Sequence, residues 1–355
     1  MKRRNFGHVL AVGSIGTVFP SQKNVHAQSN KKPFMHVGGD NHSLIPGTSS
    51  ISKENLEFKT RHGVHHIDGG YPKNWTVDDI LEMKETCEKY SISLEMFHVG
   101  IPKSITLATS ERDRDIDVLC KRIEVAGKAG IRGLNYNFCI LPNFLRTKGT
   151  PGRGGVTYST FDISKVTDHS LTEAGRVTRE ESFERITYLH EKIIPVAEEN
   201  KVQMGCHIAD PPLRPNFRGV DRWNYPVFDG LKRFVNTVPS AYNGFNFCVG
   251  SASEGLENID EIYDIVRYFG ERKKIFNVHF RNIRGGLHQM MEVFPDEGDI
   301  DMYKLAKVLG DVEYPYMLQP DHMPEHPDPS AMRQGFAFQY GYIKALIQAV
   351  KTELV

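Results

Sequence analysis

The stretch VQMGCHIADPP, residues 202–212, joins a short, largely apolar run to a polar end that two prolines close. Such a run is typical of a buried β-strand that stops where its polar residues begin. Similar runs recur along the chain and give eight candidate strands, at residues 35–40, 65–70, 94–100, 133–138, 202–210, 244–251, 275–282 and 315–322.

Segments with the apolar spacing of helices lie between these strands, for example at residues 77–90, 115–129, 182–199 and 258–269. Strand and helix that alternate in this way predict an α/β fold, a (β/α)8 TIM barrel. A doubly wound open sheet is the alternative. It is disfavoured because no glycine-rich phosphate-binding fingerprint follows the first strand.

The composition is that of a globular protein, with 39% hydrophobic and 25% charged residues. Lysine plus arginine and aspartate plus glutamate number 44 each, so the chain has no basic excess with which to bind nucleic acid or a membrane surface. We therefore expect a small-molecule substrate. The sequence leaves open whether the protein forms a homo-oligomer.

The first 27 residues have the pattern of an export signal, with a basic start, a mildly apolar centre and a small residue, Ala27, at the end. The tetrapeptide RRNF at residues 3–6 is similar to a twin-arginine signal, which predicts export of the folded protein, to the periplasm. A frayed basic terminus is the alternative. Residues 28–355 would then form one barrel domain.

The segment at residues 141–180 interrupts the alternation of strands and helices, because it separates the fourth strand from its helix. A long insertion at the carboxyl end of a barrel strand is typical of a lid or a substrate loop. Its Arg146, Lys148 and Arg153 would suit an anionic ligand, although a solvated basic loop has the same composition.

The last four candidate strands each end in a side chain that can bind a metal: His207, Cys248, His279 and Asp321. Carboxyl ends of barrel strands meet at one mouth, so these groups could hold a divalent transition metal. Zinc suits this set, and iron(II) or manganese(II) is also possible. The alternative for each histidine is a structural role in the core.

The alternation of side chains along a strand predicts which residues face the inside of the barrel. An inward His207 directs Cys206 toward the helices, so we expect Cys206 to pack and Cys248 to be the reactive thiol. The five cysteines form no CxxC pair, which argues against a disulfide scaffold. Asn277 and His279 share one face with Arg281, which places Arg281 near a substrate carboxylate.

Five motifs in order resemble the mannonate dehydratases, xylose-isomerase-like TIM barrel enzymes of hexuronate breakdown. They are GCHIADPP, GFNFCVGS, HFRNI, DEGDIDMYKLAKVLG, and PDHMP followed by GFAFQYGYIKAL, and the similarity spans residues 35–350. The resemblance implies a hydro-lyase that converts D-mannonate, a sugar acid, to 2-keto-3-deoxy-D-gluconate with Mn²⁺ or Fe²⁺.

Motif by motif, the resemblance assigns the metal to the same four residues. It also implies that His322 transfers a proton and that Arg281 binds substrate. A family tyrosine that follows the PDH motif corresponds here to Phe336, so that either Tyr340 or Tyr342 substitutes or the reaction differs.

The expected reaction is a metal-assisted β-elimination of water from a sugar acid, with His322 as the proton-transfer group and Tyr340 as a further catalytic candidate. Arg146, Asn277 and His98 are the predicted substrate-binding residues. Other residues of the first three strands would complete the mouth or form structural hydrogen bonds: His36, Asp40, His66, Asp68 and Glu95. The alternatives are a metal-dependent isomerase or epimerase, and a noncatalytic carbohydrate-binding barrel.

Overall fold

The computed structural model describes residues 34–354 and contains a barrel of eight parallel strands with helices around it. Within these residues the strands are β1 His36–Val37, β2 His66–Asp68, β3 Ser93–His98, β4 Gly133–Asn137, β5 Thr147–Pro151, β6 Thr157–Asp162, β7 Gln203–His207, β8 Asn243–Cys248, β9 Ile275–His279, β10 Ile283–Gly286, β11 Gln289–Glu292 and β12 Met317–Gln319. The helices are α1 Lys53–Arg61, α2 Val77–Glu88, α3 Lys103–Leu107, α4 Arg112–Lys128, α5 Arg179–Glu199, α6 Val227–Val235, α7 Val249–Ser253, α8 Glu261–Glu271, α9 Met302–Asp311 and α10 Ala331–Glu353.

The barrel strands follow the order β1-β12-β9-β8-β7-β4-β3-β2. The two ends of this order meet through Gly39, whose N–H donates to His66 O at 2.8 Å and whose carbonyl accepts from Asp68 N at 2.9 Å. Each of the eight candidate strands overlaps one barrel strand, and the predicted TIM barrel is confirmed.

Strand β8 illustrates why these segments are buried on both faces. Phe245 points outward and packs on Phe234 of α6 and Phe269 of α8, with ring centroids 5.4 and 5.3 Å apart. Asn246 and Cys248 follow Phe245 by one and three residues, so their side chains have the opposite orientation. They face the inside of the barrel, where both are fully buried. The alternation of side chains along the strand therefore places polar groups inside the barrel, while aromatic rings on the outer face pack against the helices.

The insertion at residues 141–180, which we expected to be a lid or a substrate loop, has strands of its own. It contains β5 and β6, which pair with β10 and β11 in a four-stranded antiparallel sheet of order β10-β11-β6-β5. The segment after β9 thus supplies half of this sheet. We missed it because its pairing joins two segments that are far apart in the sequence.

Side-chain caps mark the starts of several helices. Thr178 and Glu181 form a capping box at α5, and Asp301 accepts hydrogen bonds from Tyr303 N and Lys304 N at the start of α9.

The proposed export signal at residues 1–27 lies outside the described residues. In the part of the chain that the structure covers, no helix is long and apolar enough to cross a membrane.

Candidate metal centre and cavity

Four buried side chains meet at the carboxyl end of the barrel: His207, Cys248, His279 and Asp321. One ligand atom from each lies within 4.8 Å of the others. Cys248 Sγ is 3.5 Å from Asp321 Oδ2, and His279 Nδ1 is 3.4 Å from Asp321 Oδ1. The structure thus brings together the four residues that the strand ends predicted.

The electrostatics of this group favour a cation among its members. Burial lowers the pKa of His207 to about 3, so this imidazole is neutral and has a lone pair to offer. Burial opposes a charge on His279 as well, but the adjacent Asp321 raises the pKa of His279 to about 10. Despite its own burial, Asp321 has a pKa well below the usual range, because His322 and His279 flank it.

The residues present fit a divalent metal ion. Among the described residues, none hydrogen-bonds the buried Nδ1 of His207 or of His279, although Asp321 Oδ1 lies 3.4 Å from the latter. A buried nitrogen without a hydrogen bond is costly unless something else satisfies it. A thiolate, two imidazoles and a carboxylate form a mixed donor set that suits transition metals. Cys206 is buried and outside this group, as expected from the alternation.

Three members of the metal group, His207, His279 and Asp321, form the floor of a cavity at the barrel mouth. Its walls include Asp40, His42, Tyr71, His98, Asn135, Asn137, Asn143, Phe144, Asn246 and His322. Imidazole, amide and carboxylate groups dominate this lining, and they can hydrogen-bond the hydroxyl groups of a sugar.

His322 stands beside the proposed ligand Asp321 in this cavity. Strand β12 ends at Gln319, and the irregular chain that follows lets both residues face inward. His322 Nδ1 lies 3.1 Å from Glu292 Oε2, and Nε2 lies 3.4 Å from Asp321 Oδ1. These carboxylates raise the pKa of His322 against the opposing effect of burial.

A family model described as D-mannonate dehydratase matches residues 62–177 and 170–353. The chain belongs to the mannonate dehydratase family. A mannonate dehydratase of Thermotoga maritima is 29% identical over 284 residues, which are 70% of this chain and 78% of that protein. The hydro-lyase class and the dehydratase assignment that the motifs predicted are thereby confirmed.

Solved structures agree on the fold. The crystal structure of mannonate dehydratase from Streptococcus suis serotype 2 superposes with a TM-score of 0.78 at 23% identity, and the match covers 90% of this chain and 96% of that chain. A D-tagatose 3-epimerase-like protein gives a TM-score of 0.60 at 16% identity, with 90% and 100% covered. The barrel is thus shared with epimerases, whereas the sequence family is that of the dehydratases.

Arg281, which the family motif assigned to the substrate, does not line the cavity. It is 2% exposed, and its Nη2 donates to Asp210 Oδ2 at 2.9 Å and to Glu254 Oε1 at 2.8 Å. Its Nη1 donates to Glu292. Buried carboxylates take up the donors of this guanidinium, so direct contact of Arg281 with the substrate stays a prediction.

Arg146 and Asn277 are also placed differently from our expectation. Arg146 pairs with Asp210 and Glu292, so it joins the insertion to the same buried charge cluster and does not line the cavity. Asn277 lies below the mouth, where its Nδ2 donates to Asn246 Oδ1 at 3.0 Å. Asn246 Nδ2 in turn contacts His279 Nε2 at 3.2 Å, so Asn277 supports a proposed ligand indirectly.

Neither tyrosine takes the place of the family tyrosine in the cavity. Tyr340 is fully buried, and no described residue hydrogen-bonds its hydroxyl. Tyr342 and Tyr340 both lie outside the residues that line the cavity, so a catalytic role for Tyr340 stays a prediction. Phe336 is fully buried, and its ring centroid lies 5.9 Å from that of His42.

The first three strands divide their polar residues between the two ends of the barrel. Asp68 and His98 are at the mouth, with His98 Nε2 2.9 Å from Asp68 Oδ2, and His98 lines the cavity as predicted. His36 and His66 instead contact Glu95 at 3.1 and 2.6 Å near the opposite end, where Arg132 also pairs with Glu95. Of the two alternatives for His36, His66 and Glu95, the structure shows the structural hydrogen bonds.

Sequence reasoning missed His42, which lies in the cavity wall with Asp40. The available signal was the polar run DNH, residues 40–42, directly after the first candidate strand. Residues two apart after a strand can face the same way, which is how this pair lies here.

Proposed function

We propose that the chain removes water from D-mannonate and forms 2-keto-3-deoxy-D-gluconate. The main support is the buried group of His207, Cys248, His279 and Asp321, three of which line the cavity floor, with two imidazole nitrogens that no described residue hydrogen-bonds. The mannonate dehydratase relatives give the substrate class, a sugar acid.

We infer that these four side chains hold Mn²⁺ or Fe²⁺, with Zn²⁺ as an alternative. A divalent ion held by these residues would act as a Lewis acid, which would polarise a substrate oxygen and stabilise negative charge as it develops. Asn246 and Asn277 hold the His279 ring in place for this role.

His322 is our candidate for removal of the proton next to the substrate carboxylate. Its ring is held by Glu292 and lies beside Asp321, at the wall of the same cavity. A fixed imidazole in its neutral form is a suitable base, since proton transfer needs hydrogen-bond reach of the reacting atom. A cation held beside it by Asp321 would favour that neutral form, because like charges repel. Asn137 and Asn143 on the cavity wall, together with His98, offer polar groups for the sugar hydroxyls.

Product analysis tests this assignment. We expect the metal-loaded protein to produce a 2-keto-3-deoxy acid from D-mannonate, measured with a colour assay for such acids and identified by NMR. His322→Asn should lower kcat by about 100-fold or more and keep the metal. A product that is an epimer or an isomer of the substrate would instead support the isomerase or epimerase alternative.

We also propose that residues 1–27 direct export to the periplasm, as their RRNF tetrapeptide suggests. Replacement of Arg3 and Arg4 by lysine should retain the protein in the cytoplasm, measured by cell fractionation. Equal periplasmic amounts of the variant and the wild type would contradict a twin-arginine route.

A further inference from the structure

Asp40 and His42 form a carboxylate–imidazole pair at the end of the first barrel strand. Asp40 is 4% exposed, and its Oδ1 accepts the backbone N–H of His42 at 3.0 Å. Its Oδ2 pairs with Nδ1 of the His42 ring. Lys59 Nζ donates to the backbone carbonyl of Asp40 at 3.2 Å, so the Asp40 backbone is held as well.

This arrangement determines which ring nitrogen of His42 faces the cavity. Because Asp40 accepts from Nδ1, the proton on that nitrogen is held by the carboxylate, as in other carboxylate–histidine pairs. Among the residues that the structure describes, none hydrogen-bonds to Nε2 of His42. That atom is therefore left for a ligand in the cavity.

His42 and His322 line the same cavity and meet edge to face. Their ring centroids are 6.1 Å apart, with an interplanar angle of 81°. Two imidazoles at this separation can reach neighbouring carbons of one small substrate. The buried Phe336, 5.9 Å away, supports the His42 ring and offers no proton.

Elimination of water needs two proton transfers, one from carbon and one to the departing oxygen. His322 accounts for the first. We propose that His42, oriented by Asp40, donates the proton to the hydroxyl group that leaves from C3 of the sugar acid. This inference rests on the dehydration proposed above and assigns a second catalytic residue to it.

His322 and His42 together can account for every proton transfer in the elimination. His322 takes the C2 proton, the electron pair of that C–H bond forms the C2=C3 double bond, and the C3–O bond breaks as His42 protonates the oxygen. Water departs and leaves an enol. The enol then gains a proton at C3 from His322 and loses its hydroxyl proton to His42, so both residues return to their starting states.

The charge state of His42 agrees with this role. The Asp40 carboxylate raises the pKa of His42 to about 9 against the effect of burial, and Asp321 adds to the rise while His279 opposes it. With His322 as the fourth titratable group facing it, His42 carries its proton near neutral pH. It is then present in the acid form that departure of a hydroxyl requires.

Substitution of His42 tests the inference. We expect His42→Ala and His42→Gln to lower kcat on D-mannonate by about 100-fold while metal content stays at the wild-type level. Added imidazole should restore part of the kcat of His42→Ala. Asp40→Asn should lower kcat by a smaller factor, and His169→Ala, on the exposed surface, should not change it.

A substrate with a different leaving group distinguishes a role of His42 as proton donor from its other possible roles. Fluoride departs without a proton donor, so 3-deoxy-3-fluoro-D-mannonate should react at similar rates with wild type and His42→Ala. An equal loss on both substrates would overturn the inference. So would a raised KM with unchanged kcat on D-mannonate, which would make His42 an anchor for the substrate carboxylate.

The two proposals fail in different ways. If the wild-type protein forms no 2-keto-3-deoxy acid from D-mannonate, both the dehydration and the role of His42 are refuted. If the wild type forms it and both His42 variants keep their kcat, only the role of His42 is refuted.

Discussion

At the residue scale, Cys206 and Cys248 show how position on a strand separates two chemically identical groups. Both thiols are buried, but only Cys248 belongs to the group with His207, His279 and Asp321. Burial raises the pKa of the Cys206 thiol, which keeps it protonated and inert. Cys248 Sγ instead accepts the N–H of Ser251 at 3.4 Å and lies 3.5 Å from Asp321 Oδ2.

Removal of the Cys248 thiol should cost the protein its metal. We expect Cys248→Ala to bind less than about a tenth of the metal of the wild type, because one of four ligands and its negative charge are lost. Elemental analysis of the purified protein measures this. Cys120→Ser, on α4 outside the metal group, is the matched control and should keep its metal. Stoichiometric metal in Cys248→Ala would contradict the proposed ligand set.

His190 on α5 should make the stability of the protein depend on pH. It is fully buried between Tyr136 Oη, 2.8 Å from Nε2, and Thr237 Oγ1, 2.7 Å from Nδ1. Burial lowers its pKa from 6.5 to about 3 in the folded state. Below about pH 6.5 the unfolded chain therefore takes up a proton that the folded chain refuses, and stability falls as the pH falls.

Denaturant titrations of wild type and His190→Gln at about pH 7.5 and about pH 5 measure this effect. Between these pH values the wild type should lose about 2 kcal/mol more free energy of unfolding than the variant, since glutamine does not titrate. The exposed His169→Gln should behave as the wild type does. An equal loss of free energy of unfolding between the two pH values in wild type and His190→Gln would show that His190 is not held neutral.

At the scale of elements, β11 brings Glu292 from the second sheet to the barrel mouth. Glu292 contacts Arg281, Arg146 and His322, and these residues come from three different segments of the chain. The insertion after β4 and the segment after β9 thus meet at one carboxylate. We infer that the second sheet holds His322 in position.

Replacement of Glu292 by glutamine should therefore impair turnover more than metal binding. We expect kcat to fall by about tenfold or more, because His322 loses the charge that orients it, while the metal content stays unchanged. Steady-state kinetics and elemental analysis measure the two effects. Glu257→Gln, which removes an exposed ion pair with Arg214, should leave both unchanged. Wild-type kcat in Glu292→Gln would rule out this positioning role.

At the scale of the whole molecule, the metal group joins the ends of four strands of one barrel. His207, Cys248 and His279 end β7, β8 and β9, and Asp321 follows β12. These strands are neighbours in the sheet order, so their carboxyl ends converge. A bound ion would therefore link segments that are separate in the unfolded chain and should stabilise the whole barrel.

Metal should raise the thermal stability of the protein. An ion at about 100 times its Kd adds about 2.7 kcal/mol if it binds only the folded state, which raises Tm by about 4 °C for a chain of this size. Thermal melts with Mn²⁺ and with a chelator measure the shift. Cys248→Ala should show none, and an equal shift in that variant would locate the stabilising ion elsewhere.

The sequence predicted the barrel and the metal group because both depend on local patterns. Each strand is an apolar run that ends in polar residues, and the two-residue period decides which of two neighbours faces inward. His207 and Cys248 could therefore be assigned without knowledge of any contact. The same holds for the helices, whose starts carry side-chain caps such as Thr178 and Asp301.

The period of a strand does not tell how far along the barrel axis a side chain lies. His66 and Asp68 share a face of β2, yet His66 pairs with Glu95 and Asp68 pairs with His98 at the mouth. The sequence could not separate the two ends, because depth depends on how neighbouring strands are staggered.

The sequence by itself determined the eight strands, the four groups at their ends and the family to which the chain belongs. Only the tertiary structure decided that Arg281 and Arg146 are neutralised inside the protein and that His42 stands opposite His322. The physical reason is that a charge is available to substrate only if no other buried charge compensates it. The carboxylates that compensate Arg281 come from residues 210, 254 and 292, which no local pattern connects.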